Sequence, residues 1–258
     1  MSGGRRILLA GESWSTTSVH TKGFDTFHTS TYEEGAWPFI HALEAGGWSV
    51  EFQPNHVAAE KFPYTVEELS VYDLVVLSDI GANTLLLTNA VFTGGRAAPA
   101  NRLASLAAWV AGGGSLLMVG GYLSFQGIEG KANYRSTALA EVLPVVMEIG
   151  DDREETPEAI VPHADGGHEI TRGLEGDWPG ILGFQRMTPA PGAEVVATVG
   201  SHPLVVVGQH GAGRVAAVTT DMGPHWLTSP FVEWPGYARL WNQLAQWLTR
   251  AGATETER

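Results

Sequence analysis

The chain has 258 residues, 44% of them hydrophobic and 17% charged, and a formal net charge of −13. This is the composition of a folded globular protein, and its acidic balance argues against a nucleic-acid backbone or an anionic membrane as partner. No cysteine occurs, which excludes disulfides, thiolate metal sites and thiol nucleophiles in this chain.

In chain order, the opening MSGGRRILLAGES holds only a short apolar run, too short for a secretory signal. No segment approaches the roughly 18 to 20 apolar residues of a membrane span. The cytoplasm is the expected location. RRILLAG (5–11) predicts a first strand that feeds a Gly-Glu-Ser turn. The stretch GESWSTTSVHTKGFDTFHTSTY that follows has no helical period and reads as a long loop, a class of segment that is often functional. TYEEGAWPFIHALEAGG (31–47) predicts a helix with Thr31 as N-cap, Glu34 three residues on, and Pro38 in the first turns or at a kink. WSVEFQP (48–54) and YDLVVLSDI (72–80) predict strands, the latter apolar throughout, as central parallel strands are.

NRLASLAAWVAGGG (101–114) predicts a helix whose Leu103, Leu106, Trp109 and Val110 share one face. SLLMVGG (115–121) is the next strand. The alternation of strand and helix predicts a doubly wound, mostly parallel α/β sheet. DDREETPEA (151–159) reads as an acidic, exposed connection. It is followed by the short strand candidates ILGFQRM, AEVVATV, HPLVVVGQ and GRVAAVT, the last two forming a hairpin about QHGAG. YARLWNQLAQWLTRAG (237–252) predicts a closing helix, and residues 251–258 a frayed tail. With no repeat and no long linker, the expectation is a single domain over 1–258.

Ligands of open parallel sheets bind outside the carboxyl ends of the strands. Applied strand by strand, that rule collects Glu12, Trp14, His20, Lys22, Asp25 and His28 after the first strand and His56 after the second. Asp79 and Asn83 follow the third, Tyr122, Ser124 and Gln126 the fourth, and Asp221, His225 and Trp226 the last. Polar and aromatic groups at five strand ends predict one site at that edge. Metal chemistry is poorly served, because there is no HExxH-type pair and HADGGHE (163–169) reads as a surface turn. GGRAAPAN lacks the lysine of a phosphate-binding loop. No metal and no cofactor is expected. A strand-to-helix elbow at VGGYLSFQG would display a nucleophile beside backbone donors. The positions concerned hold Gly121 and Tyr122, with Ser124 just beyond and His225 as the base it would need. Tyr122 is open to a second role, as hydrogen-bond donor or as general acid if its pKa were lowered.

GGYLSFQGIEGKANYRST (120–137), LPV (143–145), GRVAAVTTDMGPHW (213–226) and EWPGYARLW (233–241) resemble the cysteine-free branch of class I glutamine amidotransferase-like proteins, with trehalose-utilisation-type proteins as distant relatives. The resemblance spans nearly the whole chain and implies a flavodoxin-like fold. Glutaminases of this class place a cysteine on the elbow after the fourth strand and a His with a Glu after a late strand. Here the elbow is Gly120-Gly121-Tyr122, and Leu227 stands two residues after His225. Hydrolysis of glutamine through a thioester is therefore excluded.

The leading expectation is an enzyme acting by acid–base chemistry on a small polar metabolite, a sugar derivative being one candidate. His225, Asp221, Glu12, Tyr122 and Ser124 are the catalytic candidates. Trp14, His20, Lys22, Asp25, Asp79, Gln126 and Trp226 are the candidates for binding substrate. The alternative is a metabolite-binding or scaffold protein that lost its nucleophile. Self-association into a homo-oligomer is expected through the aromatic segment FVEWPGYARLW (231–241).

Overall fold

The computed structural model describes residues 5–250. The predicted tail, and the last residues assigned to the closing helix, lie outside them. Strands β1 (Arg6–Gly11), β4 (Ser49–Gln53), β5 (Leu74–Ser78) and β6 (Ser115–Val119) match the sequence expectation to within two residues at most ends. Between the first two come strands β2 (Ser13–Lys22) and β3 (Asp25–Glu34). β7 (Glu194–Val199), β8 (His202–His210) and β9 (Gly213–Val218) supply the late part of the sheet. In the nine-stranded sheet the order runs Gly176–Asp177, Pro162–Ala164, β7, β8, β9, β6, β5, β1, β4.

The five strands β4, β1, β5, β6 and β9 are mutually parallel, and β8 and β7 extend the sheet antiparallel. Numbered by chain order within the parallel set, this is 2-1-3-4-5, the flavodoxin-like order, whose topological switch point lies between the first and third strands.

Side chains alternate to opposite faces of each strand, so the sheet carries two cores. Ile7 and Leu9 join the cluster of helices α1 (Trp37–Ala45) and α3 (Pro235–Leu248), with Phe39, Leu43, Trp241 and Leu244. Leu8, Val75 and Met118 join the opposite cluster with Leu103, Leu106 and Val110 of α2 (Arg102–Ala111). Asn101 caps α2 by accepting from the amides of Leu103 and Ala104 at 3.0 and 3.1 Å.

Three local expectations are corrected. Residues 13–34 are not an unstructured loop but a β-hairpin, β2 paired with β3 through ten residues each and turned at Gly23, which has φ of +66°. Half of its strand residues are Ser or Thr, and Trp14, Val19, Phe27 and Tyr32 are scattered among them, so no regular apolar period marks the strands. Helix α1 begins at Trp37 instead of Thr31, because 31–34 belong to β3, and Pro38 sits in its first turn, where a missing N–H costs nothing. The acidic connection at 151–159 is largely a strand, Arg153–Ile160, paired antiparallel with Ile181–Gln185.

Candidate active site

At the switch point, two adjacent parallel strands end in the same way. β1 runs into Gly11-Glu12 and β5 into Ser78-Asp79, and Glu12 and Asp79 both adopt positive φ, +47° and +43°. Such backbone costs on the order of 1 kcal/mol or more for a non-glycine residue and collects at functional sites. The Glu12 amide donates to the Ser78 carbonyl at 3.0 Å, so the strand ends are stitched together. Gly11 is required here: with φ of +120°, a Cβ would stand 1.7 Å from the Ser78 carbonyl oxygen.

The third element is the elbow after β6. Gly120 donates to the carbonyls of Val218 and Thr220, and Gly121 has φ of +137°. A Cβ on Gly120 would meet Gln185 Oε1 at 2.5 Å, and one on Gly121 the Asp79 side chain at 3.0 Å. A side chain at Gly120 would collide with its surroundings, one at Gly121 would press on Asp79 from a strained backbone, and Tyr122 is the first to project.

These strand ends enclose a pocket of about 570 Å³ whose lining includes Glu12, Trp14, Asp79, Tyr122, Asp221 and His225. Six of the twelve sequence candidates thus converge. Asp221 is buried; its Oδ1 accepts from the amides of Met222 (2.7 Å) and Gly223 (3.3 Å), and its Oδ2 holds His225 Nδ1 at 3.3 Å. The Asp221 hydrogen bond raises the His225 pKa against the opposing effect of burial. Glu12 is buried and accepts from the Ser78 hydroxyl. Its own burial, and next the charges of Asp221 and Asp79, push its pKa well above the ordinary carboxylate value. Burial, followed by the charge of Asp221, pushes Asp79 up to about 6, although it accepts the Leu123 amide at 2.6 Å.

The Tyr122 ring meets the His225 ring edge-on at 4.4 Å between centroids, and Arg153 lies over its face at 4.6 Å. Burial and next Glu155 push the phenol's pKa up, which is the opposite of what an acid of lowered pKa requires.

The other candidates lie elsewhere. Ser124 is buried outside the lining, its Oγ accepting from the Asp79 amide at 2.9 Å. It supports Asp79 and shares no hydrogen bond with His225. Gln126 is buried, its Oε1 taking the Arg135 amide at 3.0 Å. Trp226 is buried behind His225, its indole N–H donating to Glu155 at 3.1 Å. His20, Lys22 and Asp25 sit far out on the exposed hairpin, where His20 stacks on Phe27 at 4.6 Å. His56 packs edge-on against Tyr32 at the hairpin's base. His163 pairs at the surface with Asp177 and Asp165, and no group of three metal-ligating side chains occurs among the described residues.

Sequence reasoning missed Gly35, Leu123, Ile128, Lys131, Gly223 and Pro224 in the lining. Lys131 lies within the quoted 120–137 block but nine residues past Tyr122. Only the tertiary fold of that loop brings it back; the fold is pinned by Asp152, which accepts the Gln126 and Gly127 amides at 3.0 and 2.8 Å.

A family model described as "Putative glutamine amidotransferase" matches residues 6–250. The chain belongs to this glutamine amidotransferase-like family. Two members of known structure, both described as cytoplasmic proteins of Salmonella typhimurium, are 44% and 42% identical to it. Each alignment covers 94% of this chain, with 98% and 99% of theirs, and each has a TM-score of 0.90. A ThuA-like protein from Parabacteroides merdae shares the fold at 14% identity and TM-score 0.58, over 95% of this chain and 90% of its own. No curated protein matches the sequence. The chain has no cysteine, and its elbow after β6 holds Gly120, Gly121 and Tyr122.

Proposed function

We propose that this amidotransferase-like protein is a cytoplasmic enzyme that moves protons on a small polar metabolite, with a sugar derivative as the leading substrate class. The carrying observation is the grouping of Glu12, Asp221 and His225 at one pocket. A buried carboxyl whose pKa is pushed up by burial and by its neighbouring carboxylates faces the same pocket as an imidazole held by Asp221. Environments that drive neighbouring titratable groups apart supply an acid and a base at one pH. His225 takes or returns the proton through Nε2, since Nδ1 is committed to Asp221. Glu12 is the opposing acid, Asp79 a second carboxyl for hydroxyl recognition, Tyr122 a donor, and Trp14 an apolar wall for a ring face.

The location in the cytoplasm is supported by the two Salmonella relatives and by the lack, among the described residues, of a helix long and apolar enough to cross a membrane. A thermal-shift screen of sugars, hydroxy acids and amides, with product analysis of every hit, tests the reading. His225→Ala and Glu12→Gln should each lower turnover at least about a hundredfold, the usual contribution of one acid–base group. Unchanged turnover in both variants would refute the assignment.

The second reading, a metabolite binder without turnover, is favoured by the crowded elbow, which holds no nucleophile. It predicts hits that bind stoichiometrically and are recovered unaltered.

A further inference from the structure

The hairpin is the part of the molecule that its own fold leaves unexplained. Its base is anchored: Asn55 donates to Ser13, and Tyr32 packs on His56. From Thr16 to Thr31, every hydrogen bond among the described residues stays within the hairpin, as in Thr17–Ser30 and His20–Thr29. Both faces are exposed, including Val19 at 61%, Phe27 at 45% and Phe24 at the tip. A two-stranded ribbon of this kind is marginal in water without a further covering layer. Ten-residue strands make the arm roughly 33 Å long.

We infer that the cover is a second copy of this chain, with two arms laid side by side in opposite directions about a twofold axis, so that each tip reaches the other copy's pocket. Two observations support that occupant, and a third sets how much the contact has to bury. Electrostatics come first: the chain carries −13, yet residues 15–32 hold only Lys22 and Asp25 as formal charges, so the arm is a neutral strip along which two acidic bodies can approach. The second is the match between tip and pocket. Lys22, with Asp25 as its register partner, and the imidazoles of His20 and His28 sit at one end, and the carboxyls of Glu12, Asp79 and Asp221 outnumber the single Lys131 ammonium beside the arm's base at the other, where Trp14 and Gly35 are part of the lining. Lys22 is eight residues beyond Trp14, roughly 27 Å along the strand. It therefore cannot serve its own pocket, but antiparallel pairing places it at its neighbour's.

The third observation concerns size. One face of the ribbon offers a footprint of roughly 33 by 10 Å, short of the approximately 800 Å² per partner of a standard interface. The two tip-to-pocket contacts supply the remainder. The expected surface at 231–241 cannot do so, since Phe231, Tyr237, Leu240 and Trp241 are buried in the core. The association holds whether or not the pocket turns over its ligand.

Light scattering on the whole protein at micromolar concentration should give twice 27.6 kDa. Joining Thr16 to Thr31, which are register partners, through a two-glycine turn shortens the arm without shifting its pairing and should yield a folded monomer. Lys22→Glu keeps the arm whole and should weaken dimerisation about tenfold or more, because like charges then meet at the pocket. The chain has no cysteine of its own, so a copy bearing Lys22→Cys mixed with one bearing Ile128→Cys should form a tip-to-rim disulfide. A monomeric wild type, a dimer that survives both arm variants, or cross-links from tip to tip only would each overturn the inference.

Discussion

Around the pocket, the polar side chains are tied down by hydrogen bonds, those of Glu12, Asp79 and Ser124 to groups from another strand end and that of Asp221 to its own loop. Asp221 takes two amides and an imidazole, Asp79 the Leu123 amide, Glu12 the Ser78 hydroxyl, and Ser124 the amide of Asp79. Along the hairpin beyond its base, Thr and Ser hydroxyls meet only groups of the opposite strand. Both regions are rich in polar groups and both spring from residues 11–13. The difference is that burial makes each polar contact in the pocket obligatory, because an unpaired group there costs on the order of 1 to 3 kcal/mol, whereas water can replace any contact on the arm. Rigid preorganisation belongs to the first region and adaptability to the second.

The widest separation is expected between two tryptophans that the sequence presented as equivalent candidates for binding substrate. Trp226 is 1% exposed and Trp14 37%. Trp226→Ala should cost about 3 to 5 kcal/mol, as for other buried large side chains, and lower the melting temperature by roughly 6 to 20 °C. Trp14→Ala should cost less than about 1 kcal/mol and act on ligand affinity instead. Equal losses in calorimetry would mean that the arm's base belongs to the core.

That pair also shows what a sequence makes legible. Continuous apolar runs at 74–78 and 115–119 and the 3.6-residue period of 102–111 report burial directly, so the sheet, its helices and its carboxyl edge could be read. The convergence of Glu12, Asp79, Tyr122, Asp221 and His225 followed from that topology. Depth did not, since Trp14 and Trp226 differ only in what the fold packs around them. Nor did the arm, whose two polar faces carry no period to detect, or Lys131, which arrives through a loop held by Asp152.

Next in size is the effect of pH on the buried acids. Asp79 has a folded pKa of about 6 against an ordinary 3.8. Between those values the folded state holds a proton that the unfolded chain has released. The stabilisation is therefore complete at low pH and is lost as pH rises through about 6, at about 1.4 kcal/mol per pH unit, or on the order of 2 to 3 kcal/mol in all. Glu12 and Asp152, both pushed up by burial, and His225, pushed up by Asp221, act in the same direction. Asp151, held low by Arg153, acts the opposite way but only below about pH 4. Urea titrations at pH 4.5 and 7 should show the wild type losing stability and Asp79→Asn losing distinctly less; identical losses would remove Asp79 from the linkage.

A smaller effect is expected at Asp152, which is fully buried and outside the pocket lining. Asp152→Ala orphans the Gln126 and Gly127 amides and should cost about 1 to 3 kcal/mol. Because these amides anchor the loop carrying Ile128 and Lys131, ligand affinity should fall as well, while Asp152→Asn, which keeps one acceptor, recovers part of both. Full affinity in the alanine variant would show that the loop holds its position without this pin.

The smallest effect sets two glycines against each other. Gly11 and Gly23 both have positive φ, +120° and +66°, but a Cβ on Gly11 strikes the Ser78 carbonyl, whereas one on Gly23 meets nothing within 4 Å. Gly23→Ala therefore costs only the backbone term, about 1 kcal/mol, and costs it within the arm. If the arm opens independently of the sheet, that energy raises its open population about fivefold, visible as faster amide hydrogen exchange over residues 16–31, with the global melting temperature of the dilute protein unchanged. A melting temperature that fell by several degrees would instead place the arm inside the cooperative unit. The contrast between a rigid pocket and an independent arm would then fail at its weakest joint, the Ser13–Asn55 contact at the arm's base.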